Sequence, residues 1–324
     1  MIFIPYKADI ELNRIPFLTI GISIACLVIY YFQYTNETRV IESVVEYCES
    51  AVDQGFKFVL DKSAGYTGEG ACIDLIYGIH RSTNSEVMLT QIVDNADHIE
   101  VFSEADGKQY LRQLLQEKYN NYAYYAPADL SANLMYEPTT WDPFTMLTST
   151  FAHGSWDHVL GNIFFFFAFS ATLEIILGFL WYPLVILALA FGTNVLYSLY
   201  AYVQTDPLPT LGLSGVVMGV MGMLVFFLPK VKIRFLFWLI LIVWRFGIPA
   251  WLVALWYIGF DTYHLFTRDE MGPINLVVHV TGATIGYGLG VLFFRDMRDE
   301  VVAEYIESHP EEKRKAYRRQ RRRR

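Results

Sequence analysis

Six long apolar runs constrain this chain more than anything else: residues 15–32, 158–178, 180–201, 211–228, 231–260 and 274–294. Each is near the ~20 residues that a helix needs to cross a bilayer. A soluble domain of 324 residues, 54% of them hydrophobic, would not carry so many such runs. The expected fold is an all-α polytopic membrane protein with six spans. The first run follows Lys7 and Arg14. It is long for a signal-peptide core and no small-x-small cleavage site follows it, so it reads as a retained anchor.

Basic residues set the orientation, because cytoplasmic loops are enriched in Lys and Arg. Lys7 and Arg14 precede the first run, Lys230, Lys232 and Arg234 follow the fourth, and a tail rich in Arg from Lys313 to Arg324 follows the sixth. Six spans put all three clusters on one side, so both termini are expected in the cytoplasm. The tail suits lipid headgroups and topology rather than nucleic acid. The net charge of −8 hides the asymmetry, since the acid is concentrated between residues 33 and 140 on the outer side.

Four parts follow. Residues 1–32 hold the N-terminus and first span, 33–140 an extracytoplasmic insertion, 141–294 the remaining spans, and 295–324 the basic tail. In the insertion, Val40, Ile41, Val44, Val45, Cys48, Ala51 and Val52 recur at helical spacing. A second helix is expected over 107–124, with Tyr110, Leu111, Leu114 and Leu115 on one side, and Gly65–Gly70 reads as a loop. About 100 residues suffice for a small core. Cys48 and Cys72 form a disulfide if the insertion faces an oxidising compartment; otherwise they are buried thiols. Cys26 reads as packing. His80 and His98 lack partners at metal spacing and read as solvated. No metal or organic cofactor is called for.

The run 231–260 is too long for one perpendicular helix and contains Arg245, Gly247 and Pro249. An arginine in mid-bilayer is costly. Arg245 is therefore placed at the cytoplasmic interface, with the span starting near Ile248 and 231–243 lying along the inner surface. A tilted, kinked helix is the alternative.

Polar groups inside such runs suggest function by default. Ser214 opens the fourth run in Gly212-Leu213-Ser214-Gly215, and His279 lies at a similar depth in the sixth. Both runs enter from outside, which puts the pair roughly 6–8 Å below the outer surface. Gly212, Gly215, Gly219 and Gly222 recur along one face, and Gly282, Gly286 and Gly290 along another. Small-residue faces let membrane helices approach closely, which would bring Ser214 to His279 as nucleophile and base. His158 and Asn162, four apart at the start of the second run, offer donors at the same depth for a developing oxyanion. No carboxylate lies in the sixth run, Glu174 is near the inner side, and Asp206 is the only sequence-near candidate. A Ser-His dyad is the preferred reading.

With these residues the chain resembles the rhomboid family of intramembrane serine proteases. Gly212–Gly215 matches the nucleophile motif, which implies Ser214 as nucleophile, its own N–H joining the oxyanion site. His279 with Gly282 and Gly286 matches the family's histidine-x-x-Gly-x-x-x-Gly, implying a general base. His158 and Asn162 match the oxyanion pair, and His153 a histidine that is usually structural. The fold implied is a six-helix rhomboid-like bundle with a mainly helical insertion between helices 1 and 2. Three departures stand out. Trp141 is followed by Asp142 and Pro143 where the family carries Trp-Arg, Met218 stands where a tyrosine often packs on the catalytic ring, and the insertion is long.

The resemblance implies a multi-pass enzyme, placed in a bacterial inner (plasma) membrane. It would cut single-span transmembrane substrates near their outer ends, with no nucleic acid as partner. Residues 261–273 and the fifth span would form a lateral gate. The rivals are a catalytically inactive rhomboid-like protein that binds membrane clients, and a transporter. The latter is disfavoured because no internal repeat is visible and the polar set lies near one face.

Overall fold

The computed structural model describes residues 2–10, 12–65, 67–97, 99, 102–204, 207–239, 242–267 and 276–309. His98, Asp206, the loop residues 268–273 and the basic tail 313–324 lie outside them. The chain divides into two compact units, residues 1–28 with 136–324, and residues 29–135.

Strand β1 (Ile2–Ala8) precedes helix α1 (Phe17–Ala51), which is one continuous helix of 35 residues that crosses the unit boundary. The expected span and amphipathic helix are thus one element. The unit 29–135 continues with α2 (Gln54–Ala64), α3 (Glu69–Arg81), α4 (Ser85–Asp94), α5 (Glu104–Ala123) and α6 (Leu130–Leu134). Side chains fix the helix starts by accepting otherwise orphaned N–H groups. Asp53 accepts from Phe56 N at 2.7 Å, Asn84 from Glu86 and Val87, and Ser103 from Asp106. Gly65, at φ 73°, ends α2 in the left-handed region that suits glycine.

Val40, Val44, Phe56, Leu60, Ile76 and Leu115 are fully buried in the core of this unit. Tyr110, expected on the apolar side of α5, is exposed. Cys48 and Cys72 form a disulfide that joins α1 to α3. His80 is not an ordinary solvated histidine. Its Nε2 lies 2.8 Å from the Pro127 carbonyl and its ring meets Tyr122 edge-on at 5.2 Å.

The other unit adds α7 (Pro143–Phe151), α8 (Trp156–Ala201), α9 (Ser214–Phe227), β2 (Lys232–Leu239), β3 (Ile242–Pro249), α10 (Ala250–Thr267), α11 (Leu276–Phe293) and α12 (Arg295–Ser308). Among the described helices, α1, α8 and α11 are long and apolar enough to cross a membrane, and α9 is a shorter apolar helix. Gly178, at φ 70°, interrupts α8. Tyr182 and Ser170 hydrogen bond at 2.7 Å, although twelve residues of straight helix would separate them by about 18 Å. The chain therefore reverses at Gly178, and α8 is a helical hairpin of arms 156–177 and 179–201.

The all-α expectation needs correction. Strands β1, β2 and β3 form an antiparallel sheet in that order. Residues 231–243, expected along the inner surface, lie mostly in a β-hairpin that continues to Pro249, and α10 starts at Ala250, close to the expected Ile248. The cause is alternation: Val231, Ile233 and Phe235 are buried, while Lys232 and Arg234 between them are not. That period of two is a strand signal, which the high apolar content obscures. Arg234 pairs with Asp9 at 2.6 Å, and Arg245 is exposed on β3.

Glu174, on the first arm of α8, holds the start of α1. It accepts from Leu18 N at 2.9 Å, Thr19 N at 2.7 Å and the Thr19 hydroxyl at 2.7 Å. A carboxylate at a helix N-terminus satisfies orphan donors and complements the helix dipole. The Tyr182 hydroxyl bonds both Thr19, at 2.8 Å, and Ser170. At the far end of α9, Arg298 Nε donates to Phe226 O at 2.7 Å.

Two stability effects are expected. Replacing Cys48 and Cys72 by Ala should cost the insertion about 3 kcal/mol, the loop-closure value for a separation of 24 residues, read by denaturant unfolding of the full chain. Glu174→Ala should cost about 2 kcal/mol or more, since it leaves several donors unpaired. Thermal unfolding in detergent would show the loss, with Glu174→Gln intermediate.

Candidate active site

Ser214 is the first residue of α9, so its N–H is among those that no helical carbonyl accepts. The loop leading to it is fastened at several points. Tyr136 and Thr210 exchange both backbone hydrogen bonds at 2.9 Å, and Tyr197 donates its hydroxyl hydrogen to Leu208 O at 2.6 Å. Gly212 N donates to Ser149 O at 2.8 Å.

Leu213 N donates to His153 Nε2 at 3.4 Å, while His153 Nδ1 faces Phe151 O at 3.1 Å. The first partner is a donor and the second an acceptor, so His153 is neutral with its proton on Nδ1. Burial, then the neighbouring His158, pushes its pKa down to about 3. The ring thereby braces the turn before Ser214.

Gly212 has φ 124°, and a Cβ there would lie 2.8 Å from His158 Cε1, 3.0 Å from its Nε2 and 3.8 Å from Asn162 Nδ2. Only glycine fits, because both the backbone conformation and the space exclude a side chain. The same contacts put His158 and Asn162 against the turn that carries Ser214. Asn162 is buried and donates one amide hydrogen to His158 O at 3.0 Å, so its second hydrogen is left for another acceptor.

Helices α9 and α11 meet backbone to backbone. A Cβ on Gly282 would sit 2.3 Å from Gly215 O, one on Gly286 1.9 Å from Gly219 O, and one on Gly222 2.3 Å from Ala283 O. Gly215 also receives Val278, whose Cγ1 would be 2.5 Å from a Cβ placed there. Val278 precedes His279, so the first turns of α9 and α11 lie side by side. This is the contact the glycine spacing predicts. Ser214 and His279 are each partly accessible. No hydrogen bond joins them among the described residues. Catalytic hydrogen bonds are often long without substrate and tighten on binding. Met218 is buried one turn into α9.

The His279 ring is held from elsewhere. Its Nδ1 lies 2.8 Å from Asp261 Oδ2. Asp261 belongs to α10 and is 8% exposed. A carboxylate accepts, so Nδ1 carries the proton, and in the neutral ring the lone pair is then on Nε2. Asp261 lies in the fifth run, away from the sixth run, Glu174 and Asp206 where the sequence pattern directs attention. The overlooked signal was an aspartate inside an apolar helix, which by itself suggests function. Tyr257, one turn earlier on α10, packs edge-on against Phe165 of α8 at 5.1 Å.

Beside Ser214 is a cavity of about 10 Å³ whose walls include Ser149, Thr150, Thr193, Asn194 and Thr210. That is room for about one water among polar groups. Among the described residues no cluster of three or more His, Cys, Asp or Glu side chains is placed to share a metal ion.

The sequence of residues 140–296 matches the rhomboid domain, a stretch that runs from just before α7 to the start of α12. The chain carries a rhomboid domain, and that domain with the apolar helices marks a membrane protein. No curated protein matches the chain. The matched stretch of the rhomboid domain contains His153, His158, Asn162, Ser214, Asp261 and His279.

Two predictions test this construction. Gly286→Val should separate α9 from α11 and cost about 3 kcal/mol from overpacking alone, seen as a lower thermal midpoint in detergent. His153 is protonated in the unfolded chain below pH ~6.5 but held neutral when folded. The unfolded state then binds the extra proton, so its contribution to stability is intact above pH ~6.5 and falls by up to about 1.4 kcal/mol per unit below it. A stability–pH curve that is flatter in His153→Gln than in the parent would show this.

Proposed function

We propose that this rhomboid-family protein is an intramembrane serine endopeptidase, with Ser214 as nucleophile and His279 as general base. One observation carries the reading. The His279 ring is fixed with its Nε2 lone pair free, on a helix whose first turn is glycine-packed against the turn that begins at Ser214.

In the proposed reaction Ser214 Oγ attacks the scissile carbonyl while its proton passes to His279 Nε2. The carbonyl π electrons move onto oxygen. That oxyanion is held by the Ser214 N–H, the free amide hydrogen of Asn162 and His158, all near the positive end of α9. His279 gives its proton to the leaving amine as the C–N bond breaks. A water then attacks the acyl-enzyme, returning the proton through His279 to Ser214. The polar cavity beside Ser214 suits such a water.

Six spans follow in this reading: the N-terminal part of α1, the two arms of α8, and α9, α10 and α11. Both termini are cytoplasmic. Residues 33–140 then face the oxidising side, which agrees with the Cys48–Cys72 bridge. The site opens outward, so the substrate is a single-span protein cut near the outer end of its helix. That helix must unwind locally, because an intact one shields its carbonyls. An inactive client-binding relative is the alternative, and it leaves the fixed tautomer of His279 without a use.

In liposomes holding the purified protein and a designed single-span substrate, Ser214→Ala and His279→Ala should each cut the rate by at least about 10³-fold. Cleavage that persists in Ser214→Ala would overturn the assignment.

A further inference from the structure

We infer that Asp261 is a positioning residue for His279, so that the catalytic unit is a Ser214–His279–Asp261 relay built from three helices rather than a dyad. The inference rests on the protease reading above. Asp261 lies within α10, an apolar helix, and is 8% exposed. An ionised carboxylate so placed is costly unless a partner compensates it. Its partner is His279 Nδ1 at 2.8 Å, across a helix–helix contact rather than along one helix.

That bond does three things. It fixes the tautomer, because an acceptor at Nδ1 leaves the lone pair on Nε2, where Ser214 needs a base. It fixes the ring plane, which matters because position 218, one turn after the nucleophile, is a methionine with no ring to stack. It also sets a negative charge beside the imidazolium that forms when Ser214 Oγ gives its proton to Nε2; the Nδ1 proton stays on the ring. Asp261 acts through the His279 ring and not on the attacking oxygen itself. Asp206, the one carboxylate near the nucleophile in sequence, is not needed for this arrangement.

The test compares the full chain with Asp261→Asn, Asp261→Ala and Asp261→Glu in liposomes with a designed single-span substrate. Asparagine keeps the shape but can donate to Nδ1, which favours the wrong tautomer. The expected result is a fall in kcat of at least about 100-fold in Asp261→Asn and Asp261→Ala, with KM within about threefold of the parent. Asp261→Glu should recover part of it. A role limited to stability would instead lower the thermal midpoint and leave kcat per folded molecule unchanged. Nitrogen-15 histidine spectra of the unmodified protein give an independent reading. His279 should show a protonated Nδ1 with a far-downfield proton, lost in Asp261→Asn. An active parent with equal kcat in Asp261→Asn, or an Nε2-protonated His279 in the parent, overturns the positioning role alone. A parent that cleaves nothing, with the downfield proton still present, overturns the protease reading and the role together.

Discussion

The backbone-to-backbone contact between α9 and α11 is the constraint on which the site depends. Gly215 and Gly219 present bare carbonyl oxygens to Gly282 and Gly286, and Gly222 receives the Ala283 carbonyl. Any Cβ at these positions would force the helices apart. Helices in lipid gain nothing from hiding apolar surface from one another, so tight packing of small residues has to supply the attraction. The Ser214 turn and the His279 turn are the ends of these two helices. The same contact that stabilises the pair therefore sets how near Ser214 and His279 are held.

Around this contact, polar groups on the core helices are handled by pairing. Glu174 satisfies the first N–H groups of α1, Arg298 takes a carbonyl at the end of α9, and His153 stays neutral between one donor and one acceptor. Asp261 and His279 answer each other across α10 and α11. The bonds of Glu174, Arg298 and His153 Nε2 link elements distant in sequence. Breaking one leaves a buried group unpaired, so each bond helps fix a particular arrangement of helices. The catalytic reading uses one of these pairs for chemistry as well as for structure.

Much of the site is legible in the sequence because it follows helical spacing. The four-residue step from His158 to Asn162 puts both at the Gly212 turn, and the glycine steps mark the faces of α9 and α11 that do meet. Four features stay hidden for physical reasons. Asp261 pairs between helices, and no local period links it to residue 279. The β2–β3 hairpin is so apolar that its alternation of Ile233 and Phe235 with Lys232 and Arg234 is masked by the run around it. Its third strand, β1, comes from the opposite end of the chain, a pairing over more than 200 residues that local pattern cannot announce. His80 belongs to a residue type that is commonly solvated, yet it is held half-buried by the Pro127 carbonyl and the rings of Tyr119 and Tyr122.

The most direct test of the central claim is covalent labelling of the membrane-embedded protein with a serine-reactive phosphonate, followed by mass spectrometry of the modified peptide. An activated Ser214 should carry a single adduct, formed far more slowly in His279→Ala while the protein remains folded. An adduct elsewhere, or labelling of Ser214 that does not change when His279 is removed, would contradict the account.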